Sequence, residues 1–200
     1  MVGIIDYGAG NLYSVRKAFH YLGMKTTLIS RAEELEKVGA VILPGVGAFG
    51  EAAHRLEITG LRKAIQLWMN EGGPFLGICL GMQLLSAYSE ESPSAEGLGV
   101  ILEGCRPVQG KRRIHMGWSR VSHQGDPLFR GISEQEPYFY FVHGFALPAD
   151  TEGVIAVSAY GASFAAAYRT GNICGVQFHP EKSGKTGLRF LENWRKTWDV

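Results

Sequence analysis

Pro74-Phe75-Leu76-Gly77-Ile78-Cys79-Leu80-Gly81 is an apolar run of strand character that turns, between two glycines, into a helical pattern expected over 80–88. Its centre, Gly77-Ile78-Cys79-Leu80-Gly81, has the form G-x-C-x-G, the nucleophile-elbow pattern with cysteine in place of serine. A tight strand-to-helix turn crowds the backbone around its central residue. Glycine on either side removes the Cβ atoms that would clash. The Cys79 side chain is thereby held in a strained, exposed position. The N–H of Leu80 points where an oxyanion would form, and a helix N-terminus beneath the sulfur favours a thiolate.

Upstream of the elbow, short apolar runs alternate with helical patterns. Strands are expected at 2–6, 25–29 and 40–43, the last stopped by Pro44-Gly45. A helix capped by Asn11 carries Val15, Ala18, Phe19 and Leu22 on one face and ends at Gly23. A short helix is expected at 31–37, and Leu61, Ile65, Leu67 and Trp68 mark another that ends at Gly72-Gly73. Downstream, β-rich runs at 138–145, 153–160, 163–169 and 173–178 follow one another, with Thr170-Gly171-Asn172 as a hairpin turn, and an amphipathic helix closes the chain at 187–198. The expected fold is α/β: an open, mostly parallel mixed sheet flanked by helices, with an added antiparallel section, in one domain spanning 1–200.

The chain has 200 residues, and 20 Lys plus Arg against 19 Asp plus Glu leave a net charge of +1, which gives no pull toward nucleic acid or an anionic membrane. Cys79, Cys105 and Cys174 are an odd number without a C-x-x-C pair, so neither a disulfide framework nor a cysteine zinc site is expected. Neither a signal peptide nor a run long enough to span a bilayer is evident, so a cytoplasmic location is expected. Cys105 and Cys174 lack the glycine context of Cys79 and read as structural.

A cysteine nucleophile needs an imidazole, and the imidazole needs an orienting group. Among six histidines, only His179 stands beside a carboxylate at strand spacing, in Val176-Gln177-Phe178-His179-Pro180-Glu181. Residues two apart on an extended segment share a face, and Pro180 keeps His179 extended. Glu181 can therefore hold one ring nitrogen while the other faces the thiol. His20, His54 and His123 have no partner in sequence, and His115 and His143 read as packing or interface residues. Leu43-Pro44-Gly45-Val46-Gly47 follows a strand and leaves backbone amides open to a ligand. Gln83, one helical turn beyond Cys79 in the expected helix, could hold a polar substrate beside the thiol.

Taken together, Gly77–Gln83 and His179-Pro180-Glu181 resemble the class I, triad-type glutamine amidotransferases. Asp6-Tyr7-Gly8-Ala9-Gly10-Asn11-Leu12, Leu43–Gly50, His115-Met116-Gly117-Trp118 and Gln177–Ser183 resemble, more narrowly, the glutaminase subunits of imidazole glycerol phosphate synthase. The resemblance covers residues 6–183 and implies a flavodoxin-like fold and hydrolysis of glutamine through a cysteine thioester, with no cofactor or metal. It implies Cys79 as nucleophile, His179 as base and Glu181 as its orienter. It puts Gly45, Val46, Gly47 and Leu80 at the oxyanion, and Gln83, Glu91, His143, Gly144 and Phe145 around the substrate. It also implies a heterodimer with a (β/α)₈ cyclase subunit that makes imidazole glycerol phosphate and AICAR in histidine biosynthesis, faced by Asn11, Met116, Trp118, Tyr140 and Lys182. Two positions depart from the family pattern. Ser119 stands where Asn is usual, and Gly144-Phe145 follow His143 where a hydroxyl residue and Tyr are usual.

Three other readings stand beside this one: a glutaminase subunit of another pathway, such as vitamin B6 synthesis; a non-catalytic regulatory subunit; and a stand-alone hydrolase of γ-glutamyl compounds. Gly8-Ala9-Gly10 is a poor dinucleotide fingerprint, because Tyr13 takes the place of the third glycine and Ser30 that of the acidic ribose contact. Lys111-Arg112-Arg113 reads as a solvated loop or a contact with an acidic partner surface.

Overall fold

The computed structural model describes every residue except Ala9, Glu134 and Glu136, so part of the Gly8-Ala9-Gly10 stretch lies outside the described residues. The first half alternates strands β1 (Val2–Ile5), β2 (Thr26–Ile29), β3 (Ala40–Gly45) and β4 (Phe75–Cys79) with helices α1 (Leu12–Tyr21), α2 (Phe49–Ile58) and α3 (Leu61–Asn70). A 3₁₀ helix, Ala32–Lys37, stands where a short helix was expected. The side chain of Asn11 caps α1 by accepting from the Ser14 N–H at 3.4 Å, and Gly23, at φ 74°, turns the chain out of it. α2 was not anticipated, although Phe49, Ala52, Ala53 and Leu56 bury one face at helical spacing.

Short strands follow: β5 (Arg106–Pro107), β6 (His115–Arg120), β7 (Ser122–His123), β8 (Tyr138–His143), β9 (Phe145–Ala146), β10 (Val154–Tyr160), β11 (Ala162–Thr170) and β12 (Ile173–Val176). The main sheet runs β2-β1-β3-β4-β12-β11-β10-β7. Its first five strands are mutually parallel, and β11, β10 and β7 continue it antiparallel. The antiparallel part therefore extends the same sheet, with the ribbons β6–β8 and β5–β9 added beside it. Gly144 splits the expected strand at 138–145 into β8 and β9.

Alternation along the buried strands feeds two apolar layers. Ile4 and Ile42 join Phe19 of α1 on one face; Phe190 and Trp194 of the closing helix α5 (Gly184–Thr197) pack in the same layer. Ile5, Val41 and Leu43 face the other way, against α2 and α3. Two expectations need correction near the site. β3 does not stop at Pro44: it runs through Gly45, because its pairing with β1 ends at Ile42 and no neighbour needs the N–H that proline lacks. The expected helix at 80–88 is a single turn, α4 (Leu80–Gln83), after which Ser86, Tyr88 and Ser89 form isolated bridges.

Candidate active site

β4 and β12 are adjacent and parallel, with Val176 opposite Ile78, so the nucleophile strand and the strand leading to His179 emerge side by side at the carboxyl edge of the sheet. Open α/β sheets bind ligands at that edge. β3 flanks β4 on its other side and sets Gly45 opposite Cys79.

Cys79 is strained as expected but buried rather than exposed; it has φ 54° and ψ −106°, a conformation that costs an L-residue energy and persists only where its surroundings enforce it. The enforcement is visible at the flanking glycines. A Cβ on Gly81 would run into the Leu43 carbonyl of β3, and one on Gly77 would meet the Gly81 carbonyl carbon at 2.6 Å. Gly45 is equally confined: a Cβ there would lie 2.7 Å from the Tyr7 hydroxyl and 2.8 Å from the Leu80 Cβ. The Tyr7 hydroxyl in turn donates to the Pro44 carbonyl at 3.2 Å, which pins the start of the Gly45-Val46-Gly47 segment.

His179 and Glu181 are joined by a 2.8 Å contact between Nδ1 and Oε1, with both side chains almost fully enclosed. The segment that carries them is clamped by β8. The His179 N–H donates to the Tyr140 carbonyl, the Tyr140 N–H donates to Ser183 Oγ, and the Ser183 hydroxyl donates back to the His179 carbonyl. The other ring nitrogen, Nε2, is buried and has no hydrogen-bond partner among the described residues. Burial alone would lower the affinity of the ring for a proton; its interactions with Cys79 and Glu181 outweigh that and raise it to about 10.

A pH dependence of stability follows. The raised value means that the folded state holds the His179 proton more tightly than the unfolded chain does, near the ordinary 6.5. That stabilisation is complete below pH 6.5 and is lost as pH rises through about 10. Urea unfolding at pH 6.5 and 10 is expected to show a smaller loss between the two for Glu181→Gln than for the wild type. Equal losses would remove Glu181 as a source of the shift.

A cavity of about 190 Å³ opens over Cys79. Val46, Gly47 and Leu80 line one part, and Gln83, Glu91, His143, Gly144 and Phe145 another, so these expected residues meet in one place. Gly45, His179 and Glu181 do not line it, and Val142, not anticipated, does. The Glu91 carboxylate accepts from the Phe49 N–H at 2.8 Å, at the first turn of α2. Gln83 is buried, with its amide nitrogen bonded to the Phe145 carbonyl (2.7 Å) and to Gln177 Oε1 (3.2 Å). Gln177 also reaches Cys79 Sγ, and sequence reasoning missed it. Its signal is a fully buried amide in an otherwise apolar stretch, two residues before His179.

Of the expected partner-facing residues, Trp118, Tyr140 and Lys182 come together. Trp118 lies opposite Tyr140 in the β6–β8 pair with ring centroids 6.1 Å apart, and the Lys182 ammonium is 5.9 Å from the Tyr140 ring centre. Met116 and Trp118 are 66% and 55% exposed, unusual for side chains of that size. Asn11 is occupied as the α1 cap. Among the described residues, no group of three or more His, Cys, Asp or Glu could hold a metal ion, and no helix is long and apolar enough to cross a membrane.

Known proteins share both the sequence and the architecture. Imidazole glycerol phosphate synthase subunit HisH of Geobacillus kaustophilus is 44% identical over 203 residues, covering 97% of this chain and 95% of that protein. The subunits of the same name from Desulfitobacterium hafniense (45% identical; 98% and 94% covered) and Methanothermobacter thermautotrophicus (43%; 97% and 97%) match along similar lengths. A crystal structure of a glutamine amidotransferase superposes with a TM-score of 0.80 at 20% identity, covering 100% of this chain and 99% of that one, a likeness of fold. The family description of class-I glutamine amidotransferases fits residues 3–197. With the elbow, the sheet order and that match in agreement, the chain belongs to the class-I glutamine amidotransferase family.

Proposed function

We propose that this chain hydrolyses glutamine to glutamate and ammonia, and supplies the ammonia to a (β/α)₈ cyclase subunit as the glutaminase half of an imidazole glycerol phosphate synthase in histidine biosynthesis. The observation that carries the chemistry is the strained Cys79 at the floor of the cavity, beside a buried imidazole that Glu181 has oriented. The full-length similarity to HisH subunits supports the pathway. A cytoplasmic location goes with that role.

In this mechanism the thiol proton passes to His179 Nε2 before attack, as the raised proton affinity of that ring favours, and Sγ then bonds to the side-chain amide carbon of glutamine. The amide oxygen becomes an oxyanion, met by the N–H of Leu80 and the backbone of Gly45-Val46-Gly47. The C–N bond breaks as Nε2 returns the proton to nitrogen, releasing ammonia and leaving a glutamyl thioester. Water then attacks the thioester carbon, Nε2 again takes a proton, glutamate departs, and the sulfur is reprotonated. Glu91 has the charge to hold the substrate ammonium, and its bond to the Phe49 N–H keeps it at the cavity. Met116, Trp118, Tyr140 and Lys182 form the face offered to the cyclase; Trp and Tyr are the residue types in which binding hot spots are enriched.

The test is glutamate release by the purified chain, alone and then with the cyclase subunit and its nucleotide ligand. Turnover that is feeble alone and rises sharply in the complex is the expected result. Strong turnover unchanged by the cyclase would move the protein to another pathway.

A further inference from the structure

The Phe145 carbonyl fixes the orientation of two amides and an imidazole. A carbonyl oxygen only accepts, so both groups that reach it must donate: Gln83 through its NH₂ at 2.7 Å, and His143 through Nδ1–H at 2.9 Å. The Gln83 NH₂ also lies 3.2 Å from Gln177, so the Gln177 atom there is its oxygen. The other end of the Gln177 amide is then its NH₂, and that end sits 3.6 Å from Cys79 Sγ, within reach of the large sulfur atom. The sulfur also contacts the Val142 carbonyl at 3.6 Å, which can accept from a thiol but cannot support a thiolate.

The elbow makes this donor matter. A long helix behind the nucleophile would aim its positive end at the sulfur, but α4 is a single turn of four residues, too short to add much. Gln177 is fully buried and emerges directly from β12, which is hydrogen-bonded to the nucleophile strand β4.

We propose that Gln177 is a fourth catalytic group, whose side-chain N–H, aimed by Gln83, holds the Cys79 sulfur in place and stabilises the thiolate as it forms. This rests on the reading of Cys79 as the nucleophile. A hydrogen bond to a charged acceptor is stronger than one to a neutral acceptor, so the contact strengthens as the proton moves to His179. The titratable groups around the sulfur are Tyr7, whose ionisation burial suppresses; His143, pushed down to about 3 mainly by burial; His179; and Glu91, on the wall of the same cavity. His179, which Cys79 and Glu181 hold in its charged form near neutrality, remains in place when Gln177 is changed, as does Glu91.

The experiment is the pH dependence of Cys79 alkylation by iodoacetamide, followed by mass spectrometry on the full chain, with steady-state glutaminase kinetics in the cyclase complex. All three cysteines are buried, but Cys79 lines the cavity, and burial holds the Cys105 thiol up at about 12 and raises that of Cys174, so labelling through the cavity reports on Cys79. In Gln177→Leu the alkylation midpoint should rise by about one to two pH units, and kcat should fall about 10- to 100-fold with KM nearly unchanged. Gln177→Glu, nearly isosteric, keeps the test open should the leucine variant fail to fold; its carboxylate should raise the midpoint at least as far. A midpoint that stays at the wild-type value in a folded variant overturns the proposal, even if stability or activity declines. If Cys79→Ala still hydrolyses glutamine, the nucleophile reading fails first, and the two failures are told apart.

Discussion

A Cys79→Ala chain is expected to release glutamate from glutamine at least about 10³-fold more slowly than the wild type, while its complex with the cyclase still cyclises when ammonia is supplied. The first half of the expectation follows from the cavity. Cys79 Sγ is the nucleophilic atom at its floor, and without it His179 and Glu181 have no thiol to activate. The second half follows from placement. Alanine keeps the Cβ and asks nothing new of the backbone at φ 54°. Met116 and Trp118 are on β6, well exposed and outside the cavity wall, so binding to the partner should survive. Glutamine-dependent and ammonia-dependent cyclisation, measured on one preparation, check both halves. Loss of the ammonia-dependent reaction with a verified cyclase would count against a role limited to supplying ammonia.

Gly81→Ala should do more damage to the fold than the loss of the nucleophile does. The added methyl meets backbone, the Leu43 carbonyl of β3, and backbone cannot rotate aside as a side chain would. Leu43 is paired with Gly77 in the sheet, so relief requires β3 and the elbow to separate. Overpacking of this kind costs about 3 kcal/mol, which for a chain of this size lowers Tm by about 6–12 °C. Hydrolysis should fall with it, because β3 carries Gly45 and leads into Val46 and Gly47 at the cavity. Calorimetry and glutamate release together test this, and a variant with wild-type Tm would show that the elbow is looser than its packing implies.

The parts of this site legible in sequence are those written locally. Gly77 and Gly81 flank the nucleophile within five residues, and His179 meets Glu181 two residues on, although the extended segment expected there ends at His179 and Pro180–Lys182 turn as a 3₁₀ helix. The elbow helix misled because its continuation is a matter of tertiary competition. Carbonyls that a longer helix would use are taken by a later segment: Leu98 N–H bonds the Leu84 carbonyl at 2.6 Å, Ile101 N–H bonds that of Leu85 at 2.9 Å, and Gly97 N–H bonds that of Ala87 at 2.9 Å. The apolar pattern of Leu84 and Leu85 serves burial equally well in either conformation. Gln177 and Tyr7 were overlooked for a related reason. Their partners lie 98 and 37 residues away in sequence, and no periodicity encodes a contact of that range. Likewise, the strands after residue 106 showed their β character locally, whereas their joining of the main sheet depends on the pairing of β11 with β12.

The parallel pairing of β4 with β12 also acts as a ruler on how the chain can change length. Ladder hydrogen bonds set Val176 opposite Ile78, and three residues further on the imidazole must present the correct face to the sulfur. Deleting or inserting one residue between Val176 and His179 would carry the ring away from the sulfur, because the bend at Gln177-Phe178 delivers it there from a fixed ladder register. The surface turns at Gly125 and Gly171 carry no such constraint, since nothing lies within 4 Å of where their side chains would begin. Insertions, tags or grafted loops therefore belong at those turns, while the short stretch from 176 to 181 should keep its length unaltered.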